Sequence, residues 1–84
     1  MGLYYITFRS VTYAQRAEKL LNQWGHRVNL MRTPRWMEEQ GCGYALKIWT
    51  RDLPAVLKLM QENGVRLRKV YAQREEGDME EVRL

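Results

Sequence analysis

At 84 residues the chain has room for one domain and not two, since a domain this small buries only roughly 60% of its unfolded surface. A hydrophobic fraction of 45% and a charged fraction of 29% exclude an intrinsically disordered chain. The formal charge of +4, 14 basic against 10 acidic residues, is a small basic excess able to attract nucleic acid, phosphorylated ligands or an acidic protein surface.

The longest apolar runs are far short of the roughly 20 residues that span a bilayer, and "MGLYYITFRS" lacks the basic-then-apolar order of an export signal. Met1-Gly2 does not make a myristoylation signal, because Ile6 stands where Ser or Thr is needed. One cysteine closes no internal disulfide, and one Cys with one His builds no four-ligand zinc site within one chain. The expectation is a cytoplasmic protein with no membrane partner, no cofactor and no metal, stabilised by packing in a reducing compartment.

In chain order, "LYYITFR" at 3–9 alternates and is rich in aromatic and β-branched residues. It predicts a first strand with Tyr4, Ile6 and Phe8 on one face and Tyr5 and Thr7 on the other. A helix follows, capped by Ser10 or Thr12, with Ala14, Ala17, Leu20, Leu21 and Trp24 at helical spacing and Gly25 as its stop. Trp24 is expected in the core. "HRVNLMR" at 26–32 alternates again, Val28 and Leu30 opposing Arg27, Asn29 and Met31, and predicts a second strand.

"TPRWMEEQGCG" at 33–43 has Pro near its start, two Gly at its end and no two-sided periodicity, which reads as a long, functional loop. Trp36 within it is an anchor or an exposed contact. "YALKIWT" then restores alternation as a third strand, Tyr44, Leu46 and Ile48 against the core and Ala45, Lys47 and Trp49 opposite. Thr50 or Asp52 caps a second helix whose stripe is Ala55, Val56, Leu57, Leu59 and Met60, ending at Gly64. "VRLRKVYA" at 65–72 is a fourth strand whose alternation shifts after Leu67, as a bulge would produce.

The order strand, helix, strand, strand, helix, strand predicts an α+β, ferredoxin-like βαββαβ fold: a four-stranded antiparallel sheet with two helices on one face. Residues 1–72 form that domain, and 73–84 form a charged, flexible C-terminal tail.

Cys42, between Gly41 and Gly43, is the one residue whose chemistry stands out. A free cysteine ordinarily behaves as a small buried hydrophobe. Against that, Cys42 sits at a loop-to-strand junction, and flanking glycines let backbone N–H groups approach an anion. Arg32, Arg35 and Lys47 are close in sequence and favour a thiolate, while Glu38 and Glu39 oppose it. His26, the sole histidine, begins the second strand at the end away from the loop, so a Cys/His catalytic pair is not expected. A carrier that accepts an atom and passes it on needs only one accessible thiol.

The stretches "YYITF", "AEKLL", "TPR" at 33–35, "CGYAL" at 42–46, "LKLMQENGV" and "VY" together resemble the selenium/sulfur carrier-like family of small proteins, over roughly residues 3–72. The resemblance implies a carrier or accessory protein rather than a stand-alone enzyme, holding a persulfide or selenylsulfide on Cys42. It implies surroundings built from Gly43 and from Thr33, Pro34 and Arg35, a donor such as a cysteine desulfurase, and a sulfur- or selenium-accepting protein.

A second reading is a non-catalytic binding module. The open sheet face would offer Tyr5 and Trp49, with Lys47 and Arg27, to single-stranded RNA or to a protein, including a second copy of the chain. Nucleic acid is the weaker of these partners, because the aromatic consensus of the RNA-recognition motif is missing.

Overall fold

The computed structural model describes residues 2–33, 43–75 and 77–84. Its elements run β1 (Gly2–Thr7), α1 (Val11–Gln23), β2 (Arg27–Arg32), β3 (Tyr44–Thr50), α2 (Leu53–Glu62), β4 (Val70–Gln73) and β5 (Met79–Val82). All strand pairs are antiparallel, in the order β2-β3-β1-β4-β5. The fold is α+β with two helices and a five-stranded sheet; the expected count of four strands is corrected by β5, which lies within the charged segment 73–84.

The three predicted N-terminal strands form because their alternation gives each an apolar face. Tyr4 and Ile6 of β1, Val28 and Leu30 of β2 and Tyr44, Leu46 and Ile48 of β3 join one core with Phe8, which follows β1 and has no exposed surface. Both helices cover that same face of the sheet. Ala14, Ala17 and Leu21 of α1 and Leu53, Val56 and Met60 of α2 are buried in the cluster, at the i, i+3, i+4 and i+7 spacings that make a helical stripe. Leu57 and Leu59 are half-buried and Ala55 is exposed, so the α2 stripe is narrower than its apolar residues imply.

The helix ends follow local chemistry. Ser10 caps α1, its hydroxyl accepting from the Thr12 N–H at 3.1 Å, and Asp52 caps α2, accepting from the Ala55 N–H at 3.2 Å. Both helices stop alike: His26 N–H donates to Leu21 C=O and Val65 N–H to Met60 C=O, each across a glycine at positive φ, Gly25 at +80° and Gly64 at +68°. The expectation for Trp24 is overturned. It is the C-cap of α1, beyond the last buried turn, and is 66% exposed.

Residues 65–69 precede β4 and are not regular strand. Thr7 donates its N–H to Lys69 C=O, while its own C=O accepts from Arg68 N–H, so two residues oppose one, as in a β-bulge. The extra residue explains the shifted alternation, since Val65, Leu67 and Val70 all face the core. The Thr7 hydroxyl completes the joint by accepting from Lys69 N–H at 3.1 Å.

β5 adds to the free edge of β4 through Val70↔Val82 and Gln73↔Met79. Val82 packs on the helix-side core and Met79 on the opposite face, beside buried Tyr5 and Tyr71. With two glutamates between them, this strand has no period-two apolar pattern to read. Among the described residues, no helix is long and apolar enough to cross a membrane.

Candidate functional site

The loop that holds Cys42 hangs from the β2–β3 hairpin, whose register runs from Arg27↔Trp49 to Arg32↔Tyr44. One step further, the Thr33 N–H donates to the Gly43 carbonyl at 3.0 Å, closing the base of the loop. Gly43 has φ +84°, a left-handed conformation in which a Cβ is strained, so the glycine next to Cys42 meets a backbone requirement. Cys42 itself, with Pro34, Arg35, Trp36, Glu38 and Glu39, lies outside the described residues.

Of the predicted surroundings, Thr33, Gly43 and Arg32 stand together at the hairpin base. The exposed Arg32 guanidinium lies 5.7 Å from the centroid of the Tyr44 ring. Lys47 does not join them. It points to the helix-free face, where its Nζ stands 5.8 Å from the Tyr5 ring centroid and 5.0 Å from that of Trp49. Tyr44 belongs to the other face, so the sheet separates Arg32 from Lys47, two of the three cations close to Cys42 in sequence; the third, Arg35, lies outside the described residues.

The helix-free face does assemble the residues of the second reading. Arg27 lies 4.7 Å over Trp49 on the side of β2, and Tyr5, 7% exposed, donates its hydroxyl proton to Gln73 Oε1 at 3.3 Å. Tyr71, also 7% exposed, packs beside Tyr5, with Leu3, Met31 and Met79 around them. The rings of Tyr5 and Trp49 thus already carry cations, each contact contributing about 0.5–1 kcal/mol where exposed.

His26 precedes β2 at the end opposite Thr33, roughly 20 Å along the strand direction from the loop base. Among the described residues, no group of three or more His, Cys, Asp or Glu side chains is placed to hold a metal ion.

Sequence reasoning missed a set of cations that the fold gathers at the Gly43 end of the sheet. Arg9 follows β1, Arg66, Arg68 and Lys69 precede β4, and Arg83 follows β5. Scattered over three segments, they form no run in the chain, and only the strand register brings them to one end.

Neither the curated proteins nor the solved structures gave a match to this chain. A family model did: residues 3–72, spanning the chain from within β1 to within β4, match the family described as "Putative Se/S carrier protein-like". The hairpin, the positive-φ Gly43 at its base and the single cysteine that precedes it in sequence are therefore features of a chain that belongs to the putative Se/S carrier protein-like family.

Proposed function

We propose that the protein carries sulfur or selenium on Cys42. The observation that carries this reading is the family match over residues 3–72, which encloses the only thiol of the chain. In the loading step the Cys42 thiolate attacks the terminal atom of a donor persulfide, such as that of a cysteine desulfurase. A Cys42–S–S bond forms, the donor cysteine leaves as its thiolate, and the transferred atom keeps its oxidation level. An acceptor thiolate then attacks that outer atom and Cys42 departs as a thiolate, ready for another cycle. With selenium the intermediate is a selenylsulfide and the bond changes are the same.

The thiol needs access and a stabilised anion, not a base of its own. Gly43 supports this reading because the residue that follows Cys42 in the chain has no side chain of its own to shield a thiol. The partners implied are a donor and an acceptor, with the chain acting between them as an accessory protein.

The test is loading by a cysteine desulfurase supplied with cysteine or selenocysteine, read by intact-protein mass. The parent is expected to gain one sulfur or one selenium atom and Cys42→Ser none, with both folded by circular dichroism. Loading of Cys42→Ser, or failure of a parent whose thiol alkylates readily, overturns the reading.

The binding-module reading retains one specific support, the Arg27, Lys47 and Trp49 cluster on the helix-free face. It fits a protein surface better than single-stranded RNA. A stacking base needs a bare ring, whereas Tyr5 is buried and Trp49 has two cations over it.

A further inference from the structure

Four of the five strands come to one end of the sheet bearing cations beside them: Arg9 beyond β1, Arg32 at the end of β2, Arg66 and Arg68 before β4, and Arg83 beyond β5. The register fixes this end. Thr7 pairs with Ala45, Arg32 with Tyr44 and Val70 with Val82, while Arg68 N–H donates to Thr7 C=O. The same end carries the Thr33–Gly43 closure of the loop. With strands about 4.8 Å apart, the row from Gly43 on β3 to Arg83 beyond β5 spans roughly 15 Å, the scale of one protein-protein contact.

A cavity of about 390 Å³ opens here between Arg9, Tyr13, Arg66 and Leu67, and Arg66 also lines a second one that reaches Leu84. Arg9, Arg32, Arg66 and Arg83 are exposed, and none takes part in the ion pairs among the described residues, Lys69–Glu81 and Arg74–Glu80. Asp52, Glu75 and Asp78 belong to turns at the opposite end of the sheet. Among the described residues, the carboxylates near the cationic end are Glu81 and exposed Glu62 in the last turn of α2.

The geometry points to this cationic end as the docking surface for an acidic patch on the protein that loads Cys42, with the Arg9 and Arg66 guanidinium groups receiving its carboxylates. The inference rests on the reading of Cys42 as a carrier thiol and adds the chemistry of its partner. A carrier must meet its donor quickly and release it soon. Exposed guanidinium groups serve that need, because they speed encounter through long-range attraction while adding little to residence time. Their planar forks match carboxylates in pairs. Nucleic acid fits less well: among the described residues, the rings of Tyr13 and Tyr44 at this end are half-buried with Arg16 and Arg32 over them and offer no bare face to a base.

The experiment compares the parent, an Arg9→Glu/Arg66→Glu double variant and Arg51→Glu, whose exposed cation follows β3 at the far end of the sheet. Each is loaded by a cysteine desulfurase and, separately, alkylated by uncharged iodoacetamide. The double variant is expected to load about tenfold more slowly or worse, to alkylate within twofold of the parent, and to lose the salt dependence that the parent shows. Arg51→Glu is expected to load like the parent. Loading of the double variant at the parent's rate overturns the docking surface while leaving the carrier reading intact.

If the desulfurase loads none of the three, the carrier reading fails, and retention on immobilised oligoglutamate at low salt decides the surface separately. Retention of the parent and of Arg51→Glu with release of the double variant supports an acidic protein partner. Equal retention of all three, or retention on a single-stranded oligonucleotide alone, overturns it.

Discussion

Thr33 and Gly43 are joined by a backbone hydrogen bond of 3.0 Å, one step beyond the Arg32–Tyr44 pair that ends the β2–β3 ladder. The whole excursion that contains Cys42 therefore leaves and re-enters the sheet at one point. What that closure requires of Gly43 is a positive φ, and a side chain there must be strained.

Gly43→Val is accordingly expected to destabilise the fold by about 1–2 kcal/mol, the cost of a left-handed L-residue. For a domain of this size each kcal/mol lowers Tm by about 4–8 °C. Gly43→Asn should lose less, because Asn tolerates this conformation. Thermal unfolding of both variants checks the order; a valine variant as stable as the asparagine one would show that φ is not the constraint.

Thr7 is 2% exposed and its hydroxyl accepts from Lys69 N–H at the bulge. Thr7→Val keeps the shape and removes the acceptor, so it is expected to destabilise by about 1–3 kcal/mol, the cost of losing a partner for a buried polar group. Urea unfolding should show a lower midpoint at an unchanged slope.

Val82 is half-buried against the core from β5. Val82→Ala removes two methyl groups, and at about 0.8 kcal/mol for each when fully buried, half-burial gives a loss near 1 kcal/mol. Hydrogen exchange of the β4 amides should quicken in step with that loss. An unaffected β4 would mean that β5 lends the sheet no stability.

Trp24 and Phe8 make a paired test of the core. Trp24, 66% exposed, is expected to tolerate Trp24→Ser within about 0.5 kcal/mol, whereas Phe8→Ala, at a residue with no exposed surface, should cost about 3–5 kcal/mol. Equal losses in chemical denaturation would return Trp24 to the core.

These residues also show what the sequence made legible. β1, β2 and β3 were readable down to the facing of each side chain, because one side of each strand is covered by helices and the other is not. Trp24 was misread since helical spacing continues through the C-cap, where the helix no longer faces the sheet. β5 was hidden because Met79 and Val82, three residues apart, point to opposite faces and leave Glu80 and Glu81 to set the local pattern. At the site, Gly43 and Thr33 were legible as a loop base. The split between Arg32 and Lys47 was not, because nearness in sequence says nothing of which face of a sheet a cation takes, and the gathering of Arg9, Arg66 and Arg83 depends on register between distant segments.

The central place of β1 bears on how the chain is made. Leu3 is paired on one side with Trp49 and on the other with Gln73, so the earliest-synthesised strand of the domain waits for nearly all the rest before its hydrogen bonds are complete. Pairings this distant close slowly, and during translation β1 would present the bare, aromatic sequence "YYITF" with no neighbour to cover it. The nascent domain thus has its greatest exposure to aggregation before β3 and β4 emerge, and chaperone contact should concentrate on β1.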